Sequence, residues 1–126
     1  MSAYLDEIRD QLDPAHYSRS MTIVDMRAED QPIVYATDAF MQLTGYARDE
    51  VIGRNCRFLQ GPGTDPRAVA QIRAALANGS ELDVELTNYR RDGTAFRNRL
   101  LLKPLRDAAG AVSHYAGLQH MFGEDA

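Results

Sequence analysis

The chain has 126 residues, with 14 basic and 18 acidic side chains and a formal net charge of −4. This length suits one domain with a core and a small cavity, and the net negative charge argues against direct binding to nucleic acid. The single cysteine excludes an internal disulfide. With no apolar leader and no stretch long enough to span a membrane, a reducing, cytoplasmic location and no membrane contact are expected. His16, His114 and His120 lack the spacing of paired metal ligands, so no metal site is expected.

Residues 2–12 have the spacing of a short amphipathic helix, with Leu5, Ile8 and Leu12 on one face and Asp13-Pro14 ending it. The apolar face either packs on the domain's own sheet or, with the sheet face, forms a homodimer contact. The expected organisation is an N-terminal helical cap at 1–19, a core domain at 20–120 and a tail at 121–126.

Two short strands are expected next, at 20–26 and 32–36, because β-branched and aromatic residues flank a polar turn. Asp38 is then expected to cap a brief helix that ends at Gly45, and residues 48–52 form another helical turn.

A longer helix is predicted at 66–77. Asp65 followed by Pro66 is a strong helix start, and Val69, Ile72 and Leu76 recur at the spacing of an inward face.

From Leu82 onward the periodicity changes to two, which indicates a three-stranded meander with turns at 91–94 and 107–110. The elements together predict an α+β fold, a five-stranded antiparallel sheet with helices covering one face.

Two asparagines fall where this alternation expects apolar residues. Asn88 is in phase with Leu86, and Asn98 is in phase with Leu100, so both amides should face the apolar side of adjacent strands. A buried amide without partners costs about 1–3 kcal/mol, so the two must pair with each other, with backbone or water, or with a polar ligand. Gln119 adds a third carboxamide on the last strand.

Gln119 shares its face with Tyr115 and with Gly117, whose missing side chain would let a flat ring approach the sheet. Three carboxamides around an apolar slot suit a heteroaromatic ring with donors and acceptors along one edge. Arg57 and Arg73 are candidates to bind a phosphate at one end of this slot.

The only cysteine lies in the segment Gly53–Gln60, between Arg54-Asn55 and Arg57. A lone cysteine is most often a small apolar core residue, but fixed positive charges and carboxamides beside it favour a ligand site. The sequence therefore predicts a cavity for a phosphorylated, ring-bearing cofactor beside Cys56.

The chain resembles the light-oxygen-voltage (LOV) domains, the blue-light-sensing branch of the PAS superfamily, over residues 20–120. The resemblance is carried by GRNCRFLQGPGTD at 53–65, the strand at 32–36, Asp38-Ala39-Phe40, Leu43–Tyr46, Ile72-Arg73, Asn88-Tyr89, Asp92-Gly93, Asn98 and Gly117-Leu118-Gln119. It implies a PAS fold, a receptor domain without catalytic turnover, and a flavin chromophore, FMN in preference to FAD.

The resemblance also implies roles for individual residues. Cys56 would bond reversibly to flavin carbon C4a in blue light, and Gln119 would then reorient and pass the signal to the last strand. The other implied flavin contacts are Asn88 and Asn98 at the pyrimidine edge, Gln60 at polar ring atoms, Asn55 near the ribityl chain, Arg57 and Arg73 at the phosphate, and Thr22, Leu59, Ile72, Leu86, Leu100, Leu102 and Gly117 along the walls. Ser20, Thr22 and Leu100 differ from the residues common at these positions in the family, so the resemblance does not imply a lifetime for the light state.

Two other classes of protein compete with this interpretation. A flavin- or thiol-dependent redox enzyme would use Cys56 as a nucleophile, but the sequence offers no second cysteine and no neighbouring histidine as base. The second class is a PAS sensor of another ligand, such as haem. Haem is disfavoured because the helix at 66–77 contains no histidine to serve as its axial ligand. The downstream partner does not follow from the sequence.

Overall fold

The computed structural model describes residues 8–122. Five strands form a single antiparallel sheet, and three α-helices and a 3-10 turn connect the second strand to the third. The elements are η1 (Pro14–Ser18), β1 (Met21–Asp25), β2 (Ile33–Ala36), α1 (Asp38–Thr44), α2 (Arg48–Val51), η2 (Cys56–Leu59), α3 (Pro66–Asn78), β3 (Leu82–Tyr89), β4 (Ala95–Arg106) and β5 (Val112–Phe122). The predicted α+β architecture is confirmed.

The strands lie in the order β2-β1-β5-β4-β3, so the last strand occupies the centre of the sheet. Along β3, burial alternates as the period of two requires, with Val84, Leu86 and Asn88 buried and Asp83 and Glu85 exposed. One face of the sheet, here called the inner face, lies toward the helices.

Helix α3 begins and ends where the sequence signals lie. The Asp65 carboxylate accepts a hydrogen bond from the Arg67 amide, Pro66 occupies the first turn, and Gly79 ends the helix at a φ of 69°. The buried residues of the helix are Ala68 and Ala75. The larger residues of the predicted inward face, Val69, Ile72 and Leu76, are only half-buried because they border a cavity.

The cap of α1 was wrongly predicted. Thr37, not Asp38, is the N-cap, and its side chain accepts a hydrogen bond from the Phe40 amide. Asp38 is the first helical residue, and its carboxylate pairs with Arg48 at 2.6 Å. Both residue types are favoured N-caps, aspartate slightly more than threonine, so the sequence alone does not fix the boundary to one residue.

Most of the predicted N-terminal helix, residues 2–7 including Leu5, lies outside the described residues. Ile8 and Leu12 are 1% and 5% exposed and pack against the outer face of the sheet, in one cluster with Met21, Ile23, Leu105, Ala116 and Leu118. The side chain of Gln11 also exchanges two hydrogen bonds with the backbone of Arg106. For Ile8 and Leu12, packing on the domain's own sheet is therefore what the structure shows.

Within residues 8–122, no helix is both long and apolar enough to cross a membrane. The same residues contain no group of three or more His, Cys, Asp or Glu side chains arranged to hold a metal ion.

Candidate functional site

A cavity of about 210 Å³ lies between the inner face of the sheet, η2 and α3. All of the residues expected to contact a ligand line this cavity: Thr22, Asn55, Cys56, Arg57, Leu59, Gln60, Ile72, Arg73, Leu86, Asn88, Asn98, Leu100, Leu102, Gly117 and Gln119. Residues separated by almost a hundred positions in the sequence thus meet around one space.

The cavity has further lining residues that were not proposed as ligand contacts: Val24, Gln31, Val69, Leu76 and Tyr115. Sequence signals existed for four of them, since Val24 is in phase with Thr22, Tyr115 is in phase with Gly117, and Val69 and Leu76 are on the inward face of α3. Gln31 had no such signal, because its position depends on how the β1–β2 turn folds over η2.

The two inner-face asparagines are buried and bonded to each other. Asn98 Nδ2 donates to Asn88 Oδ1 at 2.9 Å, Asn88 Nδ2 donates to the Leu59 carbonyl at 3.1 Å, and Asn98 Oδ1 accepts from the His120 amide at 3.1 Å. Pairing with each other and pairing with the backbone, both among the alternatives from the sequence, therefore occur together. Each amide still has one N–H and acceptor capacity to spare, and both side chains border the cavity.

The Gln119 side chain is hydrogen-bonded to two hydroxyl groups at the start of β1 and to a carbonyl of its own strand. Its Oε1 accepts a hydrogen bond from the Ser20 hydroxyl at 2.7 Å, while its Nε2 lies 3.4 Å from Thr22 Oγ1 and 3.1 Å from the Gly117 carbonyl. A hydroxyl can donate or accept, so Ser20 and Thr22 suit either orientation of the Gln119 amide, whereas the Gly117 carbonyl only accepts and favours the orientation present here.

Gly117 leaves a recess in the inner face beside Gln119. A Cβ atom built at this position would lie 3.1 Å from Thr22 Oγ1, 3.5 Å from Gln119 Nε2 and 3.6 Å from Leu100 Cδ1. A side chain would therefore occupy space that now belongs to the cavity, as the sequence pattern indicated.

Cys56 opens η2 and is positioned from both sides. Asn55 caps the turn by accepting a hydrogen bond from the Arg57 amide, and the Phe58 ring packs edge-on against Tyr46 at 4.8 Å between centroids. Before the turn, Gly53 adopts a φ of 92°, and its amide donates to the Ile33 carbonyl at 2.8 Å. These contacts fix the segment against β2 and place the thiol at the cavity.

Burial raises the pKa of the Cys56 thiol from 9.0 to about 11, and a hydrogen bond with the Thr22 hydroxyl opposes this only in part. The thiol is therefore protonated throughout the neutral range. This distinguishes Cys56 from the activated thiolates of cysteine-dependent enzymes, whose pKa values are lowered.

The raised pKa predicts a pH dependence of stability. Between about pH 9 and 11 the folded chain retains a proton that the unfolded chain loses, so the free energy of unfolding should fall as the pH rises, by about 2 kcal/mol. Urea unfolding of the wild type and of Cys56→Ala at about pH 8 and about pH 10.5 measures this, because groups common to both proteins cancel in the difference. Parallel losses of stability in the two proteins would contradict the prediction.

Arg57 and Arg73 line the cavity and are both exposed to solvent, so they lie at its rim. Arg57 Nη2 donates to both carboxylate oxygens of Asp30 at 2.8 Å, and Arg73 projects from α3. Asn55 Nδ2 donates to the Asp30 carbonyl at 2.7 Å, which fastens the β1–β2 turn to η2.

A family model for the PAS domain matches residues 19–120, in agreement with the strand order and helices described above. In sequence, the chain is 52% identical over 99 residues to a blue-light-activated histidine kinase of Rhizobium johnstonii, covering 79% of this chain and 29% of that protein. It is 48% identical over 101 residues to phototropin-1A of Oryza sativa subsp. japonica, covering 80% and 11%.

The light-state structure of the aureochrome1 LOV domain superposes with a TM-score of 0.82 at 47% identity, covering 90% of this chain and 91% of that one. The LOV domain of the Erythrobacter litoralis EL346 blue-light-activated histidine kinase superposes with a TM-score of 0.80 at 44% identity, covering 84% and 97%. The chain therefore belongs to the LOV domains of the PAS family.

The similarity is confined to the sensory part of multidomain relatives. The chain spans less than a third of the Rhizobium kinase and about a tenth of the phototropin. It covers 97% of the isolated EL346 LOV domain but 33% of the whole EL346 kinase, so the kinase activity of that protein lies outside the matched region.

Proposed function

We propose that this domain senses blue light by holding a flavin, FMN in preference to FAD, in the cavity beside Cys56. The observation that carries the proposal is geometric: the Cys56 thiol lies at a cavity in which Gly117 leaves room beside the sheet and which buried carboxamides line. When bound, the flavin would supply the absorption of blue light and the ring bond between C4a and N5, across which the Cys56 thiol would add reversibly, its sulfur to C4a and its proton to N5.

The residues around the cavity suit such a group. The spare N–H and acceptor positions of Asn88 and Asn98 match a ring edge that carries both donors and acceptors, and the leucines of β3 and β4 that line the cavity would pack against the flat apolar part of the ring. Arg57 and Arg73 at the rim match a phosphate, which favours a phosphorylated flavin over riboflavin.

Gln119 is the residue through which the cavity would act on the sheet. If the group it faces changes from acceptor to donor, the Gln119 amide must turn over; the hydroxyls of Ser20 and Thr22 can reverse their roles to accommodate it, while its hydrogen bond to the Gly117 carbonyl is lost. Because Gln119 is on β5, between β1 and β4, this change reaches both neighbours and the residues Ile8 and Leu12 on the opposite face.

Replacing Gln119 with leucine should leave reversible bleaching by blue light intact and reduce the structural response. One switched hydrogen bond contributes about 1–3 kcal/mol, which shifts a two-state equilibrium about fivefold to a hundredfold. The light-minus-dark difference in hydrogen exchange of β5 and residues 8–18 measures the response. Gln60→Leu is the control, because it removes a carboxamide at the end of η2 instead of on the sheet, and it should retain the structural response. An undiminished response in Gln119→Leu would contradict signalling through Gln119.

Absorption spectroscopy of the purified full chain tests the proposal directly. Structured flavin bands that bleach in blue light and recover in darkness are the expected result. A protein that neither carries flavin nor binds added FMN or riboflavin would overturn it, and flavin bands that never bleach would remove the photochemical part.

A further inference from the structure

The turn between β1 and β2 holds an acidic residue against the rim of the cavity. Asp30 and Gln31 both have positive φ angles, 63° and 49°, although neither is glycine. This conformation is unfavourable for most L-residues, less so for aspartate than for glutamine, and surrounding contacts help to maintain it. Those contacts come from the residues on either side of Cys56, since Asn55 bonds the Asp30 carbonyl and Arg57 bonds the Asp30 carboxylate.

The Asp30–Arg57 pair leaves the arginine able to bind a second anion. A single guanidinium nitrogen, Nη2, contacts both carboxylate oxygens, whereas a guanidinium carries five N–H donors. A phosphate at Arg57 would therefore have the Asp30 carboxylate as a neighbour. Both side chains of the pair are about 60% exposed, so water and salt screen the repulsion without abolishing it.

We propose that Asp30 is a specificity-determining residue that weakens the preference of the cavity for phosphorylated over unphosphorylated flavins. The inference rests on the proposed flavin function and concerns only the phosphate end of the ligand. Asp30 neutralises part of the charge of Arg57, so a phosphate contributes less to affinity than two unopposed arginines would allow.

Asp30→Asn separates the charge of this residue from its structural role. Asparagine tolerates a positive φ, its backbone carbonyl still accepts from Asn55, and its side-chain oxygen can still accept from Arg57. Asp83→Asn is the matched control. Asp83 forms a similarly exposed ion pair with Arg99, at 2.6 Å, on the outer face of the sheet, so this variant changes the net charge equally away from the rim.

The experiment measures dissociation constants of FMN and riboflavin for the full chain freed of flavin, by flavin fluorescence. Asp30→Asn should bind FMN about threefold to tenfold more tightly than the wild type at about 0.02 M salt, and the gain should shrink at about 0.5 M. Riboflavin affinity should change by less than about twofold, and Asp83→Asn should change neither constant.

The outcomes separate this inference from the proposed function. If the wild type binds flavins but Asp30→Asn binds FMN no better, or improves FMN and riboflavin equally, the role of Asp30 is wrong and the flavin function stands. If the wild type binds neither flavin, the proposed function fails, and the role of Asp30 fails with it. If Asp30→Asn unfolds and loses both ligands, Asp30→Gly replaces it in the test. This variant removes the same charge at a positive φ that glycine adopts readily, and it must show the same gain in FMN affinity.

Discussion

Replacing Cys56 with alanine should leave the flavin spectrum in place and abolish its reversible bleaching under blue light. The side chain is the only thiol in the chain, and it faces the cavity from the start of η2. The amides and arginines expected to hold the ligand are on other residues, so binding should persist while the covalent step is lost. Absorption spectra before, during and after illumination measure both properties in one sample.

Thr22→Val is the matched control for Cys56→Ala. It removes the hydroxyl that hydrogen-bonds to the thiol but keeps the thiol itself, so bleaching should remain. Bleaching and dark recovery of wild-type amplitude in Cys56→Ala would show that another group carries the photochemistry.

Gly117→Val should nearly eliminate flavin binding. Even a single Cβ at this position would lie 3.1 Å from Thr22 Oγ1, and valine adds two further methyl groups on the side where the cavity lies. Overpacking of this kind costs about 1–3 kcal/mol, and the lost space adds to it, so FMN affinity should fall by at least about a hundredfold. Fluorescence titration with FMN measures the loss.

Gly117→Ala provides the graded comparison, with a smaller loss of affinity, since only its Cβ must be accommodated. Circular dichroism of the apoprotein establishes whether each variant retains the sheet. A folded Gly117→Val protein that binds FMN like the wild type would mean that the ring does not approach β5.

The inner-face polar residues could be predicted from sequence because strand periodicity is a local property. Alternation with Leu86 and Leu100 is enough to turn Asn88 and Asn98 inward, and both proved almost fully buried. Periodicity could not decide between mutual pairing and a ligand. The structure shows that the two amides are bonded to each other and to backbone, with one N–H of each left over at the cavity, so their burial does not by itself demand a ligand.

The rim of the cavity was less predictable because it depends on contacts between distant segments. The sequence indicated only a polar turn at 27–31, and neither the positive φ of Asp30 nor its pairing with Arg57 has a local signal. From the sequence, Arg57 is a candidate to bind phosphate, but its ion pair with Asp30 becomes apparent only in the structure. The start of α1 was missed for a simpler reason, since Thr37 and Asp38 are both good N-caps.

The central place of the last strand also has a consequence for how the chain folds. β1 pairs with β5 through residues 21–25 and 114–118. The pair β2-β1 therefore cannot join β4 and β3 in one sheet until β5, near the end of the chain, is available. Contacts between such distant segments slow folding, because a long loop must be ordered before they form. During synthesis, β1 and β2 can pair early, but a chain that ends before β5 lacks Gly117 and Gln119 and with them one wall of the cavity. The chromophore would therefore encounter a complete binding site only after the last strand has been inserted.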